Sequence, residues 1–200
     1  MKTKSCAHLP EHYREIWRID LQNDRRELLL VNSMGVAALV VLLVLGHWMV
    51  PVSALFSMKE GILIFLLRFA VMLGGMFLYL ILHELVHGIL IYRFSGVRPH
   101  YGFTGVYAYA GSEAFFSKRH YIIIALAPVV VWGGVLAVLT AALPEGWFWP
   151  VWFIQATNLS GAAGDLYVTW RFAALSPDVL VYDSGTAMVV YGPQTDLKKD

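Results

Sequence analysis

Residues 72–92 read MLGGMFLYLILHELVHGILIY, and this stretch decides how the chain folds. It lies in an apolar segment from Gly61 to Phe94, which is longer than the ~20 residues that a helix needs to cross a bilayer. Three polar side chains, His83, Glu84 and His87, interrupt the apolar residues. Polar groups are costly in hydrocarbon and are rarely retained there without a function, so this span is predicted to carry chemistry.

The three polar residues form a His-Glu-x-x-His motif. On a helix, His83 and His87 lie on one face about one turn apart, so both imidazoles can reach a single Zn²⁺. Glu84 lies beside them and can take a proton from zinc-bound water without binding the metal itself. The motif therefore predicts His83 and His87 as metal ligands and Glu84 as the catalytic base.

Composition places the whole chain in a membrane. Of its 200 residues 58% are hydrophobic and only 14% are charged, which is typical of an integral membrane protein. Four segments are long enough to span, at about residues 28–50, 62–94, 121–143 and 147–170. We predict an all-α integral membrane protein with about four transmembrane helices. It comprises a cytoplasmic polar lead (1–27), a membrane-embedded core (28–170) and a cytoplasmic tail (171–200).

The distribution of positive charge predicts the orientation. If both termini lie on one side of the membrane, thirteen of the fifteen Lys and Arg residues lie there too. Such an excess marks the cytoplasmic side. The thirteen are Lys2, Lys4, Arg14, Arg18, Arg25, Arg26, Arg93, Arg98, Lys118, Arg119, Arg171, Lys198 and Lys199. Only Lys59 and Arg68 fall toward the other side.

The net charge of the chain is +1, which gives no sign of a nucleic-acid partner.

A catalytic zinc site normally has three protein ligands, so a third is expected. Among the 14 acidic residues, Glu84 and Asp165 alone fall inside the apolar cores of the predicted spans. In the predicted topology His87 lies ~10 Å and Asp165 ~8 Å from the same membrane edge, at 1.5 Å per residue. Asp165 is therefore the predicted third ligand. Glu113, in a polar loop, is the alternative, because some zinc peptidases use a downstream Glu.

Asn158 lies two turns before Asp165 in the fourth predicted span. Its amide can hydrogen-bond the substrate backbone or the developing oxyanion, or it can form a hydrogen bond between helices. The sequence leaves both alternatives open.

Two short hairpins are predicted outside the spans. Aromatic residues alternate with small ones between Val97 and Phe116, which predicts an interfacial β-hairpin between the second and third spans. This segment either holds a substrate as an added strand or anchors the chain at the interface. Two β-branched runs around Asp183-Ser184-Gly185 predict a small cytoplasmic hairpin in the tail.

At these residues the chain resembles the site-2 protease class of intramembrane zinc peptidases. That class pairs a His-Glu-x-x-His helix with a later span carrying an Asp ligand and an upstream Asn, which here correspond to Asp165 and Asn158. The chain resembles more specifically a bacterial family of zincin peptidases of uncharacterised function. The shared features are His-Glu-Leu-Val-His-Gly, an aromatic-rich segment, Lys118 to Tyr121 leading to Ala127-Pro128, and the Gly164-Asp165 pair.

The resemblance implies a multi-pass protein of the bacterial plasma membrane with one Zn²⁺ per chain. The leading hypothesis is a zinc-dependent endopeptidase that cuts a membrane-associated peptide near the cytoplasmic face. The alternative is a non-proteolytic binder or transporter of divalent metal. The expected partners are the lipid bilayer and a membrane-associated substrate. The sequence leaves the oligomeric state open.

Overall fold

The computed structural model describes residues 5–20, 23–105 and 107–194. Lys2, Lys4, Lys198 and Lys199, which enter the charge argument, lie outside the described residues. The helices are α1 (Arg25–Met49), α2 (Ile62–Ser95), α3 (Lys118–Ala142), α4 (Phe148–Gly161) and α5 (Ala163–Ala173). The strands are β1 (Tyr13–Asp20), β2 (His100–Phe103), β3 (Ala108–Gly111), β4 (Phe115–Ser117), β5 (Leu180–Asp183) and β6 (Ala187–Pro193).

Three helices, α1, α2 and α3, are long and apolar enough to cross a membrane. At 1.5 Å per residue each is longer than the ~30 Å hydrocarbon core of a bilayer. Large apolar side chains such as Leu63, Phe77 and Val130 are exposed on their outer faces. Exposed apolar faces are what a protein presents where lipid replaces water as the solvent, so these helices are the counterparts of the first three predicted spans.

Local signals fix the ends of these helices. The carboxylate of Asp24 accepts hydrogen bonds from the backbone N–H groups of Arg26 and Glu27 and so caps α1. The hydroxyl of Ser117 caps α3 in the same way. The helix α2 stops at Gly96, whose φ of 72° lies in the left-handed region that glycine adopts without steric cost.

The fourth predicted span, residues 147–170, differs from the prediction because it is not one continuous helix. It consists of α4 with 14 residues and α5 with 11, and Ala162 stands at their junction with a ψ of 15°. Gly161 and Gly164 flank the junction, and glycine is a weak helix former. Since α4 extends only ~21 Å, the prediction of four continuous transmembrane helices is corrected to three such helices and a broken fourth segment.

A four-stranded antiparallel sheet, which the all-α prediction omitted, caps one end of the helices. Its strand order is β1-β6-β5-β4. The predicted tail hairpin is present as β5 and β6, and these strands form the centre of the sheet. The outer strands are β1, from the polar lead, and β4, from the segment before α3. In β1 the alternation of Trp17 and Ile19 with Arg18 and Asp20 has the period of a strand.

The predicted hairpin between the second and third spans is present as β2 and β3, paired from His100 with Gly111 to Phe103 with Ala108. It packs on α2 beside the His-Glu-x-x-His motif. A Cβ atom at Gly88 would overlap the hydroxyl of Tyr101. The absence of a side chain at Gly88 therefore lets the hairpin lie directly against the motif helix.

Two buried apolar clusters lie at opposite ends of the molecule. The larger joins the sheet to α3 and α5, with Ile19 and Val190 from the sheet packed among Tyr121, Tyr167 and Phe172. This cluster fixes α5 on the sheet. The smaller cluster closes the other end with Leu55, Met72, Phe148 and Trp149.

The contact between α1 and α4 gives a test of the packing. A Cβ atom at Gly46 would overlap the indole of Trp152, which is stacked on Phe148 and donates a 2.9 Å hydrogen bond to the carbonyl of Leu42. We expect Gly46→Ala to lower the free energy of unfolding by about 1–3 kcal/mol because the indole must move. Gly134→Ala is the control, since a Cβ there meets nothing within 4 Å. Equal thermal midpoints of the two variants in detergent would contradict this packing.

Candidate metal centre

Two helices bring three ligand side chains together. The motif helix α2 supplies His83 and His87, and the first turn of α5 supplies Asp165. The Nε2 atom of His83 lies 3.1 Å from the Nε2 atom of His87 and 3.1 Å from Oδ2 of Asp165. The Nε2 atom of His87 lies 3.6 Å from Oδ1 of Asp165. The three donor groups thus surround one point.

These separations match those of ligands on a zinc ion. Two ligands bound at ~2.0–2.1 Å in a tetrahedral arrangement lie about 3.3 Å apart. The observed separations between donor atoms, from 3.1 to 3.6 Å, bracket that value. Within the described parts of the chain, this is the one group of three or more His, Cys, Asp or Glu side chains with such spacing.

The hydrogen bonds of the two imidazoles place their protons on the Nδ1 atoms and leave the Nε2 atoms, which face Asp165, unprotonated. The Nδ1 atom of His87 lies 2.9 Å from the carbonyl oxygen of Ile124, and since a carbonyl only accepts, the proton is assigned to Nδ1. The Nδ1 atom of His83 lies 2.6 Å from the hydroxyl of Tyr79. That hydroxyl lies 2.8 Å from Oδ1 of Asn158 and donates to it, so it accepts from His83.

The orientation of Asn158 supports this assignment. Its Nδ2 atom faces two acceptors, the carbonyl oxygen of Val129 at 3.4 Å and Oε1 of Gln155 at 3.3 Å. Its Oδ1 atom therefore faces Tyr79 and requires a donor there. Both imidazoles consequently present unprotonated Nε2 atoms to the carboxylate of Asp165. Three acceptors converging on one point suit a cation, and two imidazoles with one carboxylate are a donor set typical of catalytic zinc.

Tyr79 is a site residue that sequence reasoning missed. It precedes His83 by four residues, as His83 precedes His87, so the three side chains follow one face of α2. This spacing was the available signal, but tyrosine is also common in membrane helices as an interfacial anchor. Its partner Asn158 is fully buried and contacts three other residues, in keeping with the interhelical alternative considered for it.

Glu84 lies on the wall of the same cavity as the three clustered ligands. The cavity has a volume of about 470 Å³ and is lined by α1, α2, α3, the end of α4, α5, the β2–β3 hairpin and residues of the four-stranded sheet. Within residues 5–20, 23–105 and 107–194, the Glu84 carboxylate has no hydrogen-bond partner. It is therefore free to accept a proton from a molecule in the cavity.

The alternative third ligand, Glu113, does not join the cluster. Its side chain is exposed after β3 and accepts a 3.1 Å hydrogen bond from the hydroxyl of Tyr182. A different carboxylate, Asp183 of β5, lines the sheet end of the cavity. Burial raises the pKa of Asp183, and hydrogen bonds from the hydroxyl of Tyr121 and the backbone N–H of Gly185 oppose that rise.

Comparison with known proteins identifies the family of the chain but not its site residues. No curated protein and no solved structure matches the chain. A family model described as "Putative zincin peptidase" matches residues 76–179, a segment that holds Tyr79, Asp165 and the whole His-Glu-x-x-His motif. The match covers more than half of the 200 residues, and it is to a family of zinc metallopeptidases. The chain belongs to this zincin peptidase family.

Proposed function

We propose that the chain is a zinc-dependent endopeptidase that hydrolyses a membrane-associated peptide inside the membrane, near its cytoplasmic face. The convergence of His83, His87 and Asp165 beside Glu84, whose carboxylate has no hydrogen-bond partner among the described residues, is the observation that carries this proposal. Membership of a zincin peptidase family supports the reaction class.

His83, His87 and Asp165 would hold a zinc ion, which would lower the pKa of a bound water to ~7 and polarise the carbonyl of the scissile bond. The carboxylate of Glu84 accepts the proton that water loses as it attacks, and then delivers that proton to the nitrogen of the leaving amine. No described residue donates a hydrogen bond to this carboxylate, which supports the role, because a carboxylate that already accepts hydrogen bonds is a weaker proton acceptor.

Tyr79 and Asn158 are positioning residues in this proposal. The Tyr79 hydroxyl holds the imidazole of His83 in the tautomer that presents Nε2 to the metal, and Asn158 fixes the hydroxyl in turn. We assign Asn158 to this role rather than to the oxyanion, because its donor nitrogen is turned toward Val129 and Gln155.

The charges at the two ends of the helices support a cytoplasmic location for the sheet. Most of the described Lys and Arg side chains belong to the sheet end, among them Arg18, Arg93 and Lys118. At the other end Arg68 is buried and pairs with Glu60 at 2.5 Å. By the positive-inside rule the sheet faces the cytoplasm, and the metal centre lies about two turns within the membrane from that side.

The assignment of ligands is tested by zinc content. We expect purified wild-type protein to hold about one zinc per chain and His87→Ala and Asp165→Ala to hold far less, since each variant lacks one of three protein ligands. Glu113→Ala is the matched control and should retain its zinc. Normal zinc stoichiometry in Asp165→Ala, measured by elemental analysis, would refute the third ligand.

The role of Glu84 separates a hydrolase from a metal binder or transporter. We expect Glu84→Gln to keep its zinc and to lose turnover by about 10²–10⁴-fold, because the amide cannot accept the proton. The measurement compares cells that express wild type, Glu84→Gln or His87→Ala. It counts the new peptide N-termini that appear in the membranes of each. If Glu84→Gln produced the same N-termini as wild type, the peptidase proposal would fail.

The role of Tyr79 predicts an effect on metal affinity. Tyr79→Phe removes the acceptor that holds His83, and we expect zinc affinity to fall about 10–100-fold. Competition with a chelator of known affinity gives the measurement. Tyr92→Phe, an exposed position on the same helix, is the control and should bind zinc like wild type. Unchanged affinity in Tyr79→Phe would show that His83 needs no such support.

A further inference from the structure

One wall of the catalytic cavity comes from α1, which lies outside the matched family segment. Six residues of α1 line the cavity, and four of them, spaced by four, four and three positions, follow one side of the helix. Three of them are aliphatic, and the remaining one is an amide near the middle of the row. The four are Leu28, Asn32, Val36 and Leu39.

The packing of α1 holds this row toward the cavity. The other two, Val31 and Gly35, lie on the adjoining side, where Val31 is buried and Gly35 approaches α4 so closely that a Cβ there would lie 2.9 Å from the carbonyl oxygen of Ser160. The helix therefore packs on α4 and α5, and the cavity lies between it and α2. Rotation of α1 away from this orientation would separate Gly35 from Ser160.

Asn32 has hydrogen-bonding capacity that the described part of the protein does not use. Its side chain is exposed to the cavity, and neither the amide oxygen nor the amide nitrogen has a partner among the described residues. An amide in an apolar span is costly to leave without a partner. Asn32 lies ~10 Å along α1 from the first residue of that helix, and His87 lies ~12 Å along α2 from the last residue of that helix. These two helix ends are at the same side, so Asn32 and His87 lie at similar depths.

An extended peptide has the groups that such an amide can bind. The oxygen of Asn32 can accept from a backbone N–H, and its nitrogen can donate to a backbone carbonyl. In a helical peptide these backbone groups already bond to each other, but in an extended segment they are free. The aliphatic neighbours Leu28, Val36 and Leu39 offer contacts to apolar side chains on either side of the bound amide.

We propose that Asn32 binds the main chain of the substrate and holds an extended, apolar segment in the cavity beside Glu84. This inference rests on the proposed peptidase function and adds the substrate class, an uncharged segment that is unwound when it binds. Binding of the main chain makes recognition of the substrate depend on its conformation and apolar character more than on particular side chains.

Hydroxamate probes test this proposal on the zinc-loaded, full-length protein in detergent. Acetohydroxamate binds zinc and has no peptide chain, whereas acetyl-trileucine hydroxamate adds a backbone to the same zinc-binding group. We expect the trileucine probe to bind wild type more tightly than acetohydroxamate does. Asn32→Leu should weaken the trileucine probe about tenfold through the lost hydrogen bonds and leave acetohydroxamate unchanged.

Probes methylated at one backbone nitrogen remove one donor at a time. At the position that Asn32 contacts, methylation should weaken binding to wild type but not to Asn32→Leu, as in a double-mutant cycle. Ser33→Ala, on α1 but outside the cavity wall, is the matched control and should behave like wild type.

The outcomes separate the two proposals. If every methylated probe lost the same affinity in wild type and in Asn32→Leu, or if the trileucine probe bound both proteins equally, the role of Asn32 would be refuted while the metal site stood. A wild-type protein whose zinc bound neither probe would contradict the peptidase function itself. Equal zinc content in wild type and Asn32→Leu excludes misfolding as the cause of weaker binding.

Discussion

The hydrogen bonds that the two imidazoles need in an apolar environment govern the packing around the metal centre. The Nδ1 atom of His83 hydrogen-bonds to the hydroxyl of Tyr79, and the Nδ1 atom of His87 hydrogen-bonds to the carbonyl of Ile124. These bonds orient the imidazoles and also tie the motif helix to α3 and, through Asn158, to α4. The helix packing and the convergence of the ligands therefore depend on the same hydrogen bonds. A substitution that loosened the helix packing would also displace the ligand side chains.

The break at Ala162 resolves a geometric difficulty. An aspartate side chain is short, so its backbone must lie close to the motif helix for the carboxylate to reach both imidazoles. The end of α4 at Gly161 lets a new helix start at Ala163, and Asp165 follows in its first turn. The apolar face of α5 packs on the sheet with Tyr167 and Phe172. The sheet thus supports the third ligand.

The sequence identified the candidate ligands well because few polar side chains occur in its apolar segments. Only two carboxylates lie in the apolar cores of the predicted spans, and Asp165 of this pair meets His83 and His87 within 4.8 Å. The sequence was less informative where the outcome depends on packing. Residues 147–170 are apolar enough to suggest one helix, and only tertiary contacts reveal the break. The pairing of β1 with β6 joins segments far apart in the chain, so no local pattern predicts it. The role of Tyr79 depends on a partner from another helix, and a single sequence does not identify that partner.

The order of strands in the four-stranded sheet has a consequence for biosynthesis. The strand β6 is the last to leave the ribosome, yet it lies between β5 and β1, which is the first. The strand β1 must therefore wait, unpaired in this sheet, while α1 to α5 are made. Since α5 packs on this sheet, the helix that carries Asp165 gains its support only after β6 has been made. The candidate metal centre therefore gains its full support only after β6 is made, and a chain truncated before β6 would contain the His-Glu-x-x-His motif without the sheet that supports α5.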